Sequence, residues 1–160
     1  MADMLAARPW TTRAECATEE RAEHFFPENL GRHLASPSVL LALLTCERCE
    51  ARQECGHEAM VPTIVTHIPG EPDPVPMLPT GVWGGSVEKE RRAALEIAGD
   101  PDAAAALLET TFPQRLEERV AAFLAVGDRN ADGRLRTKSW QRRRVEELLA
   151  EREDEVEVSA

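Results

Sequence analysis

Cys46-Glu47-Arg48-Cys49-Glu50-Ala51-Arg52-Gln53-Glu54-Cys55 carries three of the chain's four cysteines as C-x2-C-x5-C. A C-x-x-C loop lets two thiolates converge on one metal centre while backbone N–H groups hydrogen-bond their sulfurs. Cys16 stands apart, 29 intervening residues upstream of Cys46. Four thiolates complete a 4Fe–4S cluster and equally complete a tetrahedral zinc site. Most structural zinc sites use two close pairs, whereas three cysteines plus a remote one lean towards a cluster. Both metals stay open on spacing alone. The charged neighbours Glu47, Arg48, Glu50, Arg52 and Glu54 are a poor setting for four unligated thiols in an apolar core. A thiol-disulfide reductase is the third reading of C-x-x-C, but no βαβ pattern surrounds the motif.

Working outward, Ser36-Pro37 reads as an N-cap followed by proline at the first helical position. The helix it opens contains Val39, Leu40, Leu41, Leu43 and Leu44, the most apolar run of the chain, and ends at Cys46. A second short helix is expected from near Glu50 to Ala59. Residues 61–80 hold six of the eleven prolines and form an extended loop. Gly81-Val82-Trp83-Gly84-Gly85 then reads as a tight turn, with glycines supplying positive φ. Ser86 is expected to cap a helix with Glu88 in its first turn that reaches about Ala98. Asp100-Pro101 opens an alanine-rich helix to about Glu109, and Pro113 opens another. In that one Leu116, Val120, Phe123 and Leu124 share a face and Gly127 closes it. Trp140, Val145, Leu148 and Leu149 mark a last helix. The fold class is all-α: a small helical domain around four cysteines and the glycine turn, residues 1–92, plus a helical C-terminal extension, residues 93–160.

Charge is unevenly spread along a chain of net −10. Residues 1–85 carry 6 basic and 12 acidic groups; residues 129–144 carry seven basic groups against Asp132 alone; the tail from Val145 carries seven acids against Arg152. A compact basic block in an acidic chain points to one local anionic contact. Arg142, Arg143 and Arg144 are candidates to grip DNA phosphates, in competition with i, i+4 pairing of Arg142 with Glu146 and Arg143 with Glu147. No signal peptide and no run approaching a membrane span are visible, so the expected compartment is a reducing cytoplasm, with no membrane partner. Asp128 to Gly133 imitates the start of an EF-hand loop, but its twelfth position is Ser139 and not a bidentate Glu. His57 could replace a missing thiolate in a zinc site, which four cysteines make unnecessary.

Four cysteines in this order, Phe25-Phe26-Pro27-Glu28 between the first and second, and Gly81-Val82-Trp83-Gly84-Gly85 followed by Glu90-Arg91-Arg92 resemble the WhiB-like iron–sulfur transcription regulators. The likeness covers residues 10–92, more than half the chain. It implies a 4Fe–4S cluster on Cys16, Cys46, Cys49 and Cys55. It also implies binding to the C-terminal domain of the primary sigma factor of RNA polymerase, contact with promoter DNA, and sensitivity to redox state or nitric oxide. No enzymatic activity and no small-molecule substrate are implied. By the same likeness Trp83, Phe25, Phe26 and Trp10 would anchor the partner around the turn formed by Gly81, Val82, Gly84 and Gly85, and Arg91 with Arg92 would contact DNA. The chain departs from the family pattern in its long proline-rich link from Cys55 to Gly81, in Glu50 where proline is frequent, and in its long, acidic end.

Overall fold

The structure is a computed structural model that describes residues 9–16, 25, 33–62, 69–70, 72–73, 77–126 and 139–159. Among these residues it is helical and without strands. A short 3-10 helix, Pro9–Arg13, precedes five α-helices: α1 Pro37–Glu47, α2 Arg52–Glu58, α3 Glu88–Ala98, α4 Pro101–Val126 and α5 Ser139–Ser159.

α1 starts as its sequence dictates. The Ser36 hydroxyl accepts the Val39 N–H and Pro37 occupies the first turn. Every residue from Val39 to Leu44 is buried. A helix apolar on all sides needs cover on all sides, and the helices beyond the glycine turn supply it: α4 and α5 both pack against α1. One apolar cluster therefore joins Val39, Leu40 and Leu43 to Phe112, Leu116 and Phe123 of α4 and to Val145 and Leu148 of α5. The boundary at residue 92 does not divide this core. Substituting Val145, which is fully buried, by Asp should place an unpaired carboxylate in it and cost about 3 kcal/mol or more. Urea unfolding followed by tryptophan fluorescence should show the whole transition moving down. An unchanged midpoint would mean that α5 is dispensable to the core.

Three expectations change. Pro113 does not open a helix; it lies inside α4, which runs unbroken for 26 residues. Phe112 just before the proline and Leu116, Val120 and Phe123 after it are all buried in the same apolar cluster. That burial outweighs an interior proline's penalty of about 3 kcal/mol. Leu124 is exposed, and Trp140 is exposed where the last helix was expected to bury it. Ser86 is not the cap of α3: Val87 holds that position, and its N–H goes to the Glu90 carboxylate at 2.9 Å. Asp100 caps α4 as expected, its Oδ1 taking the Ala103 N–H at 2.9 Å. Gly127, the EF-hand-like segment and the basic block up to Lys138 lie outside the described residues.

Candidate metal centre

The cysteines reach one place from four positions in the chain. Cys46 is in the last turn of α1, facing the core at 5 % exposure, which corrects the view that its charged neighbours keep it out of apolar surroundings. Beyond it the backbone turns twice, with Cys49 N–H on the Cys46 carbonyl and Arg52 N–H on the Cys49 carbonyl at 3.1 and 3.3 Å. Those turns bring Cys49 beside Cys46 and start α2, which presents Cys55. Cys16 follows the 3-10 helix, which is tied to α2 from outside: Trp10 Nε1 donates to Glu58 and Arg13 to Glu54, both at 2.7 Å. All four sulfurs line a cavity of about 360 Å³ whose other walls include Trp10, Phe25, Val82 and Trp83.

The glycine turn forms the roof. Gly84 donates its N–H to the Cys55 sulfur at 3.2 Å, and the Gly85 backbone pulls the Cys46 thiol downward against the rise that burial imposes. Burial pushes the Cys46 thiol far above its usual range, with the neighbouring Cys55 adding to the rise. Burial likewise takes Cys55 up to about 12, against the lowering pull of the Gly84 amide. As free thiols, Cys46 and Cys55 stay protonated at neutral pH. A cationic centre that takes thiolates as ligands displaces those protons.

Arg91 holds the roof in place. It is completely buried, and its guanidinium donates to the carbonyls of Ser86, Gly81 at 3.0 Å and Pro79 at 2.6 Å. Burial lowers it to about 10, which leaves it charged at neutral pH. The expectation that Arg91 contacts DNA is therefore corrected: the turn's own carbonyls engage its buried charge. Arg92 is exposed and pairs with Glu88 one helical turn back.

Phe25 also changes role. It is 7 % exposed, packs in the main core, and its carbonyl accepts the Val82 N–H at 2.7 Å. It is a wall of the cavity and not an outward anchor. Phe26 lies outside the described residues. Trp83 and Trp10 are half-buried at the cavity, with the Trp83 Nε1 satisfied within its own turn by Thr80 O at 2.8 Å. His57 is exposed beside Asp102 and is not among the cavity's walls. Of the three C-terminal arginines, Arg144 pairs with Glu147 at 3.0 Å, Arg143 is exposed and Arg142 is half-exposed.

Sequence reasoning missed Arg52 and Arg115. Arg52 is part of the cavity wall. Its Nη1 donates to the carbonyls of Cys46 and Glu47 at 3.3 and 3.2 Å, and its other nitrogens grip Glu109 of α4, the shortest contact being 2.6 Å. The guanidinium also lies 4.3 Å over the Phe112 ring. Arg115 donates to Gly85 O at 2.8 Å and to Glu90 at 3.1 Å, fastening the roof to α4. Nothing local marks either residue, because their partners are 57 and 30 positions away.

The family model described as "Transcription factor WhiB" matches residues 10–94. No curated protein and no solved structure matches the chain.

Proposed function

We propose a function from one premise: this chain belongs to the WhiB family of transcription factors. In this reading Cys16, Cys46, Cys49 and Cys55 hold a 4Fe–4S cluster, and the surface around the cluster docks on the C-terminal domain of the primary sigma factor. The observation that carries it is the shared cavity: cysteines 16, 46, 49 and 55 line one space, roofed by an amide that already donates to sulfur.

The donor set fits the group. Among the described residues no three His, Cys, Asp or Glu side chains stand together around a single ion. The four cysteines line one cavity, and four thiolates are the ligand set that a 4Fe–4S cluster takes. A bound cluster would supply iron that reacts with oxygen or nitric oxide. The chain's own residues do the rest. Gly84 directs its amide at sulfur, Arg91 and Arg115 fix the turn that carries it, and Phe25 with Val82 keeps the walls apolar. The thiol-disulfide reductase reading loses support, since a nucleophilic cysteine needs a low pKa and exposure, and Cys46 has neither.

Trp83 and Trp10, half-buried at the cavity, are the aromatic surface a docking partner would cover, and large aromatics anchor such interfaces. Covering them would shield the centre from oxidants and make association sensitive to its state. Promoter contact falls to Arg92, Arg142, Arg143 and Arg144, with phosphates as the partners. No described helix is long and apolar enough to cross a membrane, in keeping with a cytoplasmic regulator.

Anaerobic purification tests the proposal. The expected product is brown, with roughly four irons and matching sulfide per chain, and a broad visible absorption that bleaches in air or nitric oxide. A colourless protein holding one stoichiometric zinc would end the cluster reading.

A further inference from the structure

The C-terminal ends of α4 and α5 border a cleft of about 900 Å³, and none of its lining residues belongs to the cysteine cavity. It lies wholly within residues 47 and 117–159, almost all beyond the family-matched segment. Its apolar walls are Val120 and Leu124 on α4, spaced i, i+4, and Leu149 and Val156 on α5, spaced i, i+7. Leu124 is 64 % and Val156 70 % exposed. Scattered exposed apolar residues are ordinary; two facing stripes with a polar rim are the form of a groove that takes a helix.

The rim decides what kind of helix. Among the described residues Arg152 is the one basic residue lining the cleft, and Glu47 and Glu117 both engage it. Glu153 and Glu157 add negative charge along the α5 edge, where the side chains face solvent. A field of this sign repels nucleic acid and anionic lipid. It also disfavours a second copy of a chain with net charge −10. From Leu149 to Ser159 the α5 wall is about 16 Å long, room for roughly three turns of another helix.

We propose that this cleft docks an amphipathic helix of a protein partner, its apolar face seated on Leu124 and Val156 and its Lys or Arg residues opposite Glu153 and Glu157. The docking is separate from the cysteine cavity, so it gives the chain a second attachment point independent of the metal centre's state.

The probe is a fluorescein-labelled Leu–Lys peptide of about 14 residues patterned as an amphipathic helix, compared with a peptide of the same composition shuffled to have no apolar face. Fluorescence anisotropy is measured with the full chain. The patterned peptide should bind at least about tenfold more tightly than the shuffled one, and Leu124→Asp or Val156→Asp should each remove about tenfold. Both positions are exposed, and circular dichroism with iron content should be unchanged in both variants. The double change Glu153→Lys and Glu157→Lys should weaken binding and flatten its salt dependence. Equal binding of the two peptides, or indifference to Leu124→Asp, would overturn the proposal. So would sedimentation showing a dimer that Leu124→Asp dissociates, because the cleft would then belong to a second copy.

Discussion

Cys16→Ala, prepared without oxygen, should lose most of its iron and its visible absorption and should unfold at a temperature lower by on the order of 10 °C. The size of the effect follows from where Cys16 sits. Twenty-nine residues separate it from Cys46, and a cross-link closing a loop of that length stabilises by roughly 3–4 kcal/mol in the chain-entropy estimate. A cluster that binds both sulfurs closes that loop. Other ties of the Pro9–Cys16 stretch include the Trp10–Glu58 hydrogen bond, the exposed Arg13–Glu54 pair and the packing of Cys16 on the core. An exposed pair is screened by water and salt and cannot replace the cross-link. Arg13→Gln is the matched control: it cuts the exposed pair, leaves all four sulfurs in place, and should retain iron. Chemical iron analysis and a thermal melt on the two variants decide the matter. Wild-type iron in Cys16→Ala would remove Cys16 from the ligand set and with it the four-sulfur centre.

The contrast between Cys16 and Arg91 shows how much of this molecule could be read from its sequence. What was legible was local. Ser36-Pro37 announces the start of α1 because a hydroxyl acceptor and a fixed φ act within one turn. The cysteine spacing announces that Cys46, Cys49 and Cys55 meet at one cavity, and the glycines of 81–85 announce a turn, because positive φ is a property of single residues; Gly81 and Gly85 have φ 87° and 78°. What was illegible depended on partners far along the chain. Arg91 follows the turn and looks like a surface cation. Its burial depends on three carbonyls between Pro79 and Ser86 that fold back over it. Pro113 looks like a helix start because first-turn proline is common. Continuity of α4 depends on whether Phe112 before it and Leu116 after it meet one apolar surface, and that surface is α1 and its neighbours. The apolar cluster crosses residue 92 for the same reason. The sequence of α1 asks for cover on every side without naming the helices that provide it.

Gly84→Ala should be among the most damaging single-methyl additions in the chain, destabilising by roughly 2–5 kcal/mol and abolishing stable iron binding. Gly84 has φ 54°, a left-handed conformation that an L side chain adopts at a cost. The larger effect is steric. A Cβ on Gly84 would stand 2.4 Å from Gly56 Cα, 2.5 Å from Gly56 N and 3.0 Å from Arg52 O, all backbone atoms of α2. No rotamer change relieves a clash with a helix backbone, so the roof must lift from α2. Lifting it breaks the Gly84 N–H bond to Cys55 Sγ and opens the cavity between α2 and the turn. The reciprocal change separates this mechanism from a general intolerance of the interface. A Cβ on Gly56 meets Gly84 at 3.8 and 3.9 Å, ordinary contact distance, and alanine is the better helix former inside α2. Gly56→Ala should therefore melt at or slightly above the wild-type temperature and keep its iron. The two methyl groups would lie across the same contact and yet act in opposite directions, because one is built on a left-handed turn pressed against backbone and the other on a helix with room beside it. Thermal melts and iron content of the pair, prepared without oxygen, check this. Comparable stability in both variants would show that the turn can lift without loss, and that its amide does not hold the Cys55 sulfur in place.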